Sequence, residues 1–210
     1  MGERPVQTAS RYYLSRKLHS VLGVVPVGLF LIEHFITNST ALFGAATYDR
    51  AALTLQSVPG IAVIEVLLIF APLLFHAILG VKIYFEARNN PMSYSHFRNW
   101  MFFLQRLTGI FTFVFVGYHV WQFRIAKFFT GQDVTYQTVA HALASPWMAA
   151  FYALGVVAAA FHLANGLWSF GITWGITVGQ SSQRRMAYVW SALFVLMSLL
   201  GVAALRAFMS

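Results

Sequence analysis

Residues 146–172 read PWMAAFYALGVVAAAFHLANGLWSFGI, a run without one Asp, Glu, Lys or Arg. A stretch of 18 or more apolar residues is long enough to cross the hydrocarbon core of a bilayer as a helix. The run shows no period-2 alternation, which argues against a barrel strand, and Ser145-Pro146-Trp147 is a sound helix start. Four stretches of the same kind lie outside it, at 18–38, 59–84, 100–128 and 186–208. The first ends near Asn38-Ser39-Thr40 and the second opens at Pro59-Gly60. With every backbone group paired inside its own segment, the pattern predicts an all-α membrane protein, a five-transmembrane-helix bundle forming one domain over 1–210.

Composition agrees. The 210 residues are 59% hydrophobic and only 10% charged, against the quarter or so expected of a soluble domain. Mean hydropathy is +0.66. There is no cysteine, which excludes disulfides, cysteine-ligated iron–sulfur clusters and the thioether attachment of c-type haem. The net charge of +8 is not a nucleic-acid signal, because the basic residues fall at helix ends and in short loops. The stretch from Leu18 to Ile36 is long for the core of a signal peptide and carries Glu33 and His34, so it reads as a first mature helix.

Lys and Arg set the orientation. With the N-terminus inside, the inner segments hold Arg4, Arg11, Arg16, Lys17, Lys82, Arg88, Arg98, Arg184 and Arg185, and the outer ones Arg50, Arg124, Lys127 and Arg206. This asymmetry predicts a cytoplasmic N-terminus and an external C-terminus in the cell membrane. No clear sequence repeat is evident.

Seven histidines divide into two groups. His19, His96 and His141 lie at a helix start or in loops and read as solvated or interfacial side chains. His34, His76, His119 and His162 each lie inside a different apolar stretch, at spacings of 42, 43 and 43 residues. A lone intramembrane histidine suits a helix–helix hydrogen bond or a proton relay. Four of them, one per helix, suit two metal centres, because imidazole is a common axial ligand of haem iron and bis-histidine ligation needs two facing helices. Depth sorts them at about 1.5 Å per residue. His34 and His119 fall in the outer half, and His76 and His162 in the inner half. Glycines recur on these helices (Gly23, Gly28, Gly80, Gly109, Gly117, Gly155, Gly166), where they admit a macrocycle or a packed helix. Ser20, Arg16 and Arg106 are candidate partners for haem propionates, as are Lys17 and Lys82.

The stretches Arg16-Lys17-Leu18-His19-Ser20-Val21-Leu22-Gly23, Pro26-Val27-Gly28 with Glu33-His34, and Leu104-Gln105-Arg106-Leu107-Thr108-Gly109 with His119-Val120-Trp121 make a specific combination. So do Phe161-His162-Leu163-Ala164-Asn165-Gly166-Leu167-Trp168-Ser169-Phe170 and Thr173-Trp174-Gly175-Ile176-Thr177. Together they resemble the succinate dehydrogenase cytochrome b558 subunits, the single-chain dihaem anchors also found in menaquinone-linked fumarate reductases. The resemblance covers nearly the whole chain. It implies five helices and two haem b groups, with axial pairs at the positions of His34–His119 (outer) and His76–His162 (inner). It also implies a flavoprotein subunit with FAD and an iron–sulfur subunit docked on the cytoplasmic side. Succinate chemistry then belongs to the flavoprotein, and this chain takes electrons from inner to outer haem and on to menaquinone.

Quinone reduction needs protons near the outer centre. Glu65 lies eleven residues before His76, on the same helix face and about 16 Å further out, and is the preferred candidate. Glu33 and Asp49 are weaker ones. Alternatives are an anchor working in the direction of fumarate reduction, a cytochrome b subunit of a hydrogenase or formate dehydrogenase, and a haem-free transporter. The last would need broken helices with charged residues at the midplane; Pro26 and Pro72 do sit inside helices, but proline is common in membrane helices.

Overall fold

The computed structural model describes residues 4–87 and 91–210, with side chains from Tyr12 onward. Arg88 and the side chains of Arg4 and Arg11, counted above for orientation, lie outside the described residues. Among the described residues there is no strand.

Five helices are long and apolar enough to cross a membrane: Tyr12–Phe43, Ile61–Glu86, Phe97–Thr130, Pro146–Thr173 and Gln180–Ala207. They are the first to fifth spans below. The proximal end of the bundle is the end at which the first span begins, and the distal end is the opposite one. Hydropathy places the start of the fifth span at 186, but the helix begins at Gln180, through QSSQRR. Helical hydrogen bonds are local, so a helix runs on through polar residues once it has left the apolar slab. The first span likewise extends beyond 18–38 at both ends.

Two prolines leave marks. Pro26 follows a break at Val25, within the first span, that separates the helix Arg4–Val24 from the helix Pro26–Ser39. Proline lacks an N–H and crowds the carbonyl four residues back. In the second span Pro72 stands just after a π-turn, Val66–Phe70, in which Ala71 N–H reaches back to Val66. The third span has its own π-turn, Val120–Ile125, beginning immediately after His119.

The fourth span is the axis of the bundle. Tyr152, Gly155, Ala159, Ala160, Leu163, Ala164, Asn165, Trp168 and Gly171 are buried along it, between the third and fifth spans. Ala160 and Ala164 are fully enclosed, and such small residues let neighbouring backbones approach. The second span has no buried side chain and packs chiefly on the first.

Two short helices that hydropathy does not mark, Ala45–Gln56 and Tyr136–Ala142, cap the distal end. Asp49 accepts the backbone N–H of Tyr136 at 2.6 Å, and Lys127 Nζ donates to both Gln56 and Asp133. Tyr48, Val139, Leu143 and Phe208 form the apolar underside of this cap. Burial, helped by neighbouring Asp49, pushes the Tyr48 phenol up to about 12.

Candidate functional site

The four intramembrane histidines meet in two pairs at two depths. His76 and His162 face each other across the proximal half, with ring centroids 6.1 Å apart and planes at 79°. His34 and His119 do so in the distal half, at 5.6 Å and 80°. Metal–nitrogen bonds of about 2 Å, with each nitrogen about 1 Å from its ring centroid, put two imidazoles on one metal about 6 Å apart. Among the described residues no group of three or more His, Asp, Glu or Cys is placed to hold a bare ion. A haem brings its own equatorial nitrogens and asks the protein only for axial donors, so paired imidazoles suffice.

The proximal pair is held by hydrogen bonds that fix the tautomer. His76 Nδ1 donates to the carbonyl of His19 at 2.8 Å, and His162 Nδ1 donates to the carbonyl of Gln105 at 3.1 Å. Each bond leaves the Nε2 lone pair for a ligand, as axial histidines require. Gln105 also donates through Nε2 to the His162 carbonyl, and its Oε1 accepts from the buried amide of Asn165. Asn165 donates in addition to the Met101 carbonyl, which joins the third and fourth spans at this level.

Glycines make room for both rings. A methyl group on Gly23 would overlap the His76 imidazole, and one on Gly109 would stand 2.9 Å from His162 Cε1.

The distal pair lies among aromatic rings instead. Phe30 lies against His34, and Phe115, Phe123 and Tyr152 surround His119. His119 Nδ1 is buried with no hydrogen-bond partner. Asn38 donates to the His34 carbonyl at 2.8 Å and stands 3.3 Å from His34 Nε2.

His19 is not the interfacial side chain that its place near Arg16 and Lys17 suggests. Its ring is stacked flat on His76, with centroids 4.0 Å apart and planes within 9°. Its own Nδ1 is 3.0 Å from the His76 carbonyl. Gln105, Asn165, Asn38 and His19 were all missed as site residues, because neutral polar side chains on apolar helices give no signal until their partners are known.

A repeat that plain sequence inspection does not reveal also emerges. His19, Gly23, His76 and Gly80 correspond, at an offset of 86 residues, to Gln105, Gly109, His162 and Gly166. Phe75-His76 and Gly80 match Phe161-His162 and Gly166, and Ser20 falls at the position of Arg106. His34 and His119 correspond at an offset of 85. Each histidine pair therefore takes one member from the first helical hairpin and one from the second.

The candidate propionate partners lie in the proximal half. Arg106 is buried at 8% exposure with its guanidinium 4.0 Å from the Phe102 ring centroid. Arg16 rests on Tyr12, and its Nε is buried without a hydrogen-bond partner. Ser20 Oγ donates to the Lys17 carbonyl and accepts from the Trp174 indole. Lys17 covers the Trp174 ring and donates to the Thr173 carbonyl, and Lys82 lies near Glu86 in the second span.

Glu65, at the distal end of the second span, is ion-paired with Arg124 of the third. Arg124 Nε donates to Glu65 Oε2 at 2.7 Å, and a second guanidinium nitrogen contacts the same oxygen. Glu65 immediately precedes the π-turn of the second span, and Arg124, five residues beyond His119, lies within that of the third. Glu33 accepts from the Thr37 hydroxyl one turn on, and Asp49 belongs to the distal cap.

The profile of the succinate dehydrogenase/fumarate reductase transmembrane subunits matches residues 86–201. The succinate dehydrogenase cytochrome b558 subunit of Bacillus subtilis (strain 168) is 47% identical over 201 residues, covering 96% of this chain and 99% of that protein. A likeness of this extent, running through all five spans and both histidine pairs, assigns the family: this multi-pass membrane protein belongs to the succinate dehydrogenase/fumarate reductase transmembrane subunits.

Proposed function

We propose that this chain is the two-haem cytochrome b anchor of a succinate dehydrogenase, a single domain in the cell membrane that passes electrons from an iron–sulfur partner to menaquinone. The observation that carries the reading is the meeting of four histidines from four spans in two pairs, each at the separation of two ligands on one metal. The B. subtilis relative is named a cytochrome b558 subunit, which fits.

The proximal end faces the cytoplasm in this reading. Arg16, Lys17, Lys82, Arg98, Arg184 and Arg185 gather there, against Arg50, Arg124, Lys127 and Arg206 at the other end. The iron–sulfur subunit docks at the proximal end, and the flavoprotein with its FAD oxidises succinate beyond it. Haem b, when bound, supplies reversible one-electron transfer. His76 and His162 would hold the inner group and His34 and His119 the outer one. Arg16, Arg106 and Ser20 offer cationic and hydroxyl groups to inner propionates, and the buried, unpartnered Arg16 Nε favours an anion there.

Glu65 and Arg124 serve the quinone at the distal end. The guanidinium has N–H groups to offer a quinone carbonyl, and the Glu65 carboxyl group can take up a proton and pass it on in an otherwise apolar region. A Glu65→Gln substitution is expected to lower quinone reduction by about 100-fold or more while leaving haem content intact. Wild-type turnover in that variant would remove Glu65 from the site. The same groups work in either direction, so an anchor run toward fumarate reduction uses the same residues.

The test of the reading is haem per polypeptide. Two low-spin b haems in the reduced-minus-oxidised spectrum of the purified chain are expected. One haem would demote one histidine pair to packing, and none in a folded sample would overturn the reading and favour a transporter.

A further inference from the structure

The proximal pair is clamped twice in the same way. On the first hairpin, the His76 ring donates to the backbone carbonyl of residue 19 while the side chain of residue 19 bonds the His76 carbonyl, at 2.8 and 3.0 Å. On the second, the His162 ring donates to the backbone carbonyl of residue 105 while the side chain of residue 105 donates to the His162 carbonyl, at 3.1 and 3.0 Å. Behind each ring stands a glycine four residues beyond the clamping residue, Gly23 behind His76 and Gly109 behind His162. Opposite each clamping side chain stands another, Gly80 against His19 and Gly166 against Gln105.

We propose that His19 and Gln105 are equivalent positioning residues, each locking one axial imidazole of the inner haem through a reciprocal pair of hydrogen bonds. The inference rests on the two-haem reading. His19 has the wrong geometry for an axial ligand on the centre that His76 serves. Imidazole lone pairs lie in the ring plane, and the two rings are parallel and face to face, so their lone pairs run alongside one another. What His19 shares with Gln105 is a side-chain donor at the same place in the repeat. The donor ties the carbonyl of the axial residue to the neighbouring helix and so fixes the backbone from which the axial ring projects. Outer partners of this kind orient metal-binding histidines, and losing one weakens binding by about 10–100-fold.

Equivalence makes a specific test possible. Glutamine is what the second hairpin already uses, so His19→Gln is expected to keep both haems and to hold the inner potential and spectrum much closer to wild type than His19→Leu does. His19→Leu keeps the bulk and removes the donor. It is expected to shift the inner haem's potential and low-spin resonance signal and to weaken its retention about tenfold, with the outer haem unchanged as internal reference. Gln105→Leu is expected to act on the same haem in the same way. The experiment is a redox titration followed optically and by electron paramagnetic resonance, on the assembled complex in membranes. Loss of the inner haem in His19→Gln would overturn the proposal by making His19 a ligand. An unmoved inner haem in His19→Leu would overturn it by leaving His19 only packing. If His19→Leu does not accumulate, His19→Phe carries the test, since it keeps a ring against His76 and removes the donor: a shifted inner haem is expected, and an unmoved one would overturn the proposal. A wild-type complex without two haem waves would overturn the reading and the proposal together, a result distinct from either variant's failure.

Discussion

A His162→Ala variant is expected to lose one haem and keep the other, halving haem per polypeptide in the reduced-minus-oxidised spectrum. The imidazole that disappears is the one whose Nδ1 is committed to the Gln105 carbonyl, which in the two-haem reading leaves its Nε2 for iron. Alanine removes the donor outright, so the effect on inner-haem affinity exceeds the 10–100-fold that follows loss of an outer partner. His19 does not step in. Although its ring is 4.0 Å from His76, the two are parallel, and it lies on the face of the surviving ligand, where its lone pairs run beside those of His76. The distal pair is insulated from the change, since His34 and His119 are held by other residues: Asn38, Phe115, Phe123 and Tyr152. Added imidazole should restore part of the lost absorbance, because the removed side chain leaves a space shaped for it. Retention of both haems in His162→Ala would mean that His162 is a packing residue, and would return the chain to a one-haem or haem-free reading.

Much of this arrangement is legible in the sequence because the bilayer leaves few options. Apolar length alone marks the five spans, and alternating helix direction turns residue number into depth, which is why His34 reads with His119 and His76 with His162. The rest depends on partners distant in the chain. Glu65 reads as a lone acid in an apolar run, yet its partner Arg124 is 59 residues away and reads as an ordinary outer-end cation. His19 sits among basic residues and so resembles an interfacial anchor, although its partner lies 57 residues away. Gln105 and His162 are also 57 residues apart, and this equality is the trace of the repeat. The capping helices Ala45–Gln56 and Tyr136–Ala142 escape hydropathy because they lie across the bundle end and bury only one face, through Tyr48, Ala52 and Val139.

Gly23→Ala is the second substitution with a large expected effect, and it acts through one methyl group. The added carbon would overlap the His76 imidazole, and the ring has little freedom to yield. It is held at Nδ1 by the His19 carbonyl, and on one face by the His19 ring. Helix propensity alone would make Gly→Ala favourable by about 1 kcal/mol. Overpacking of a tight contact costs about 1–3 kcal/mol, so the steric term prevails. The strain is relieved by turning His76 away from His162. The variant is therefore expected to insert normally and to lose most of its inner haem while the outer one stays. Gly109→Ala, which crowds the His162 ring at 2.9 Å from the other hairpin, should produce the same spectrum to a lesser degree. Haem-to-protein ratios of the two variants, measured beside Gly166→Ala, make the comparison. In Gly166→Ala the new methyl would meet only the Gln105 amide at 3.4 Å, an ordinary contact. Equal haem content in all three would mean that the glycines serve helix packing in general and that the His76 ring is free to move aside.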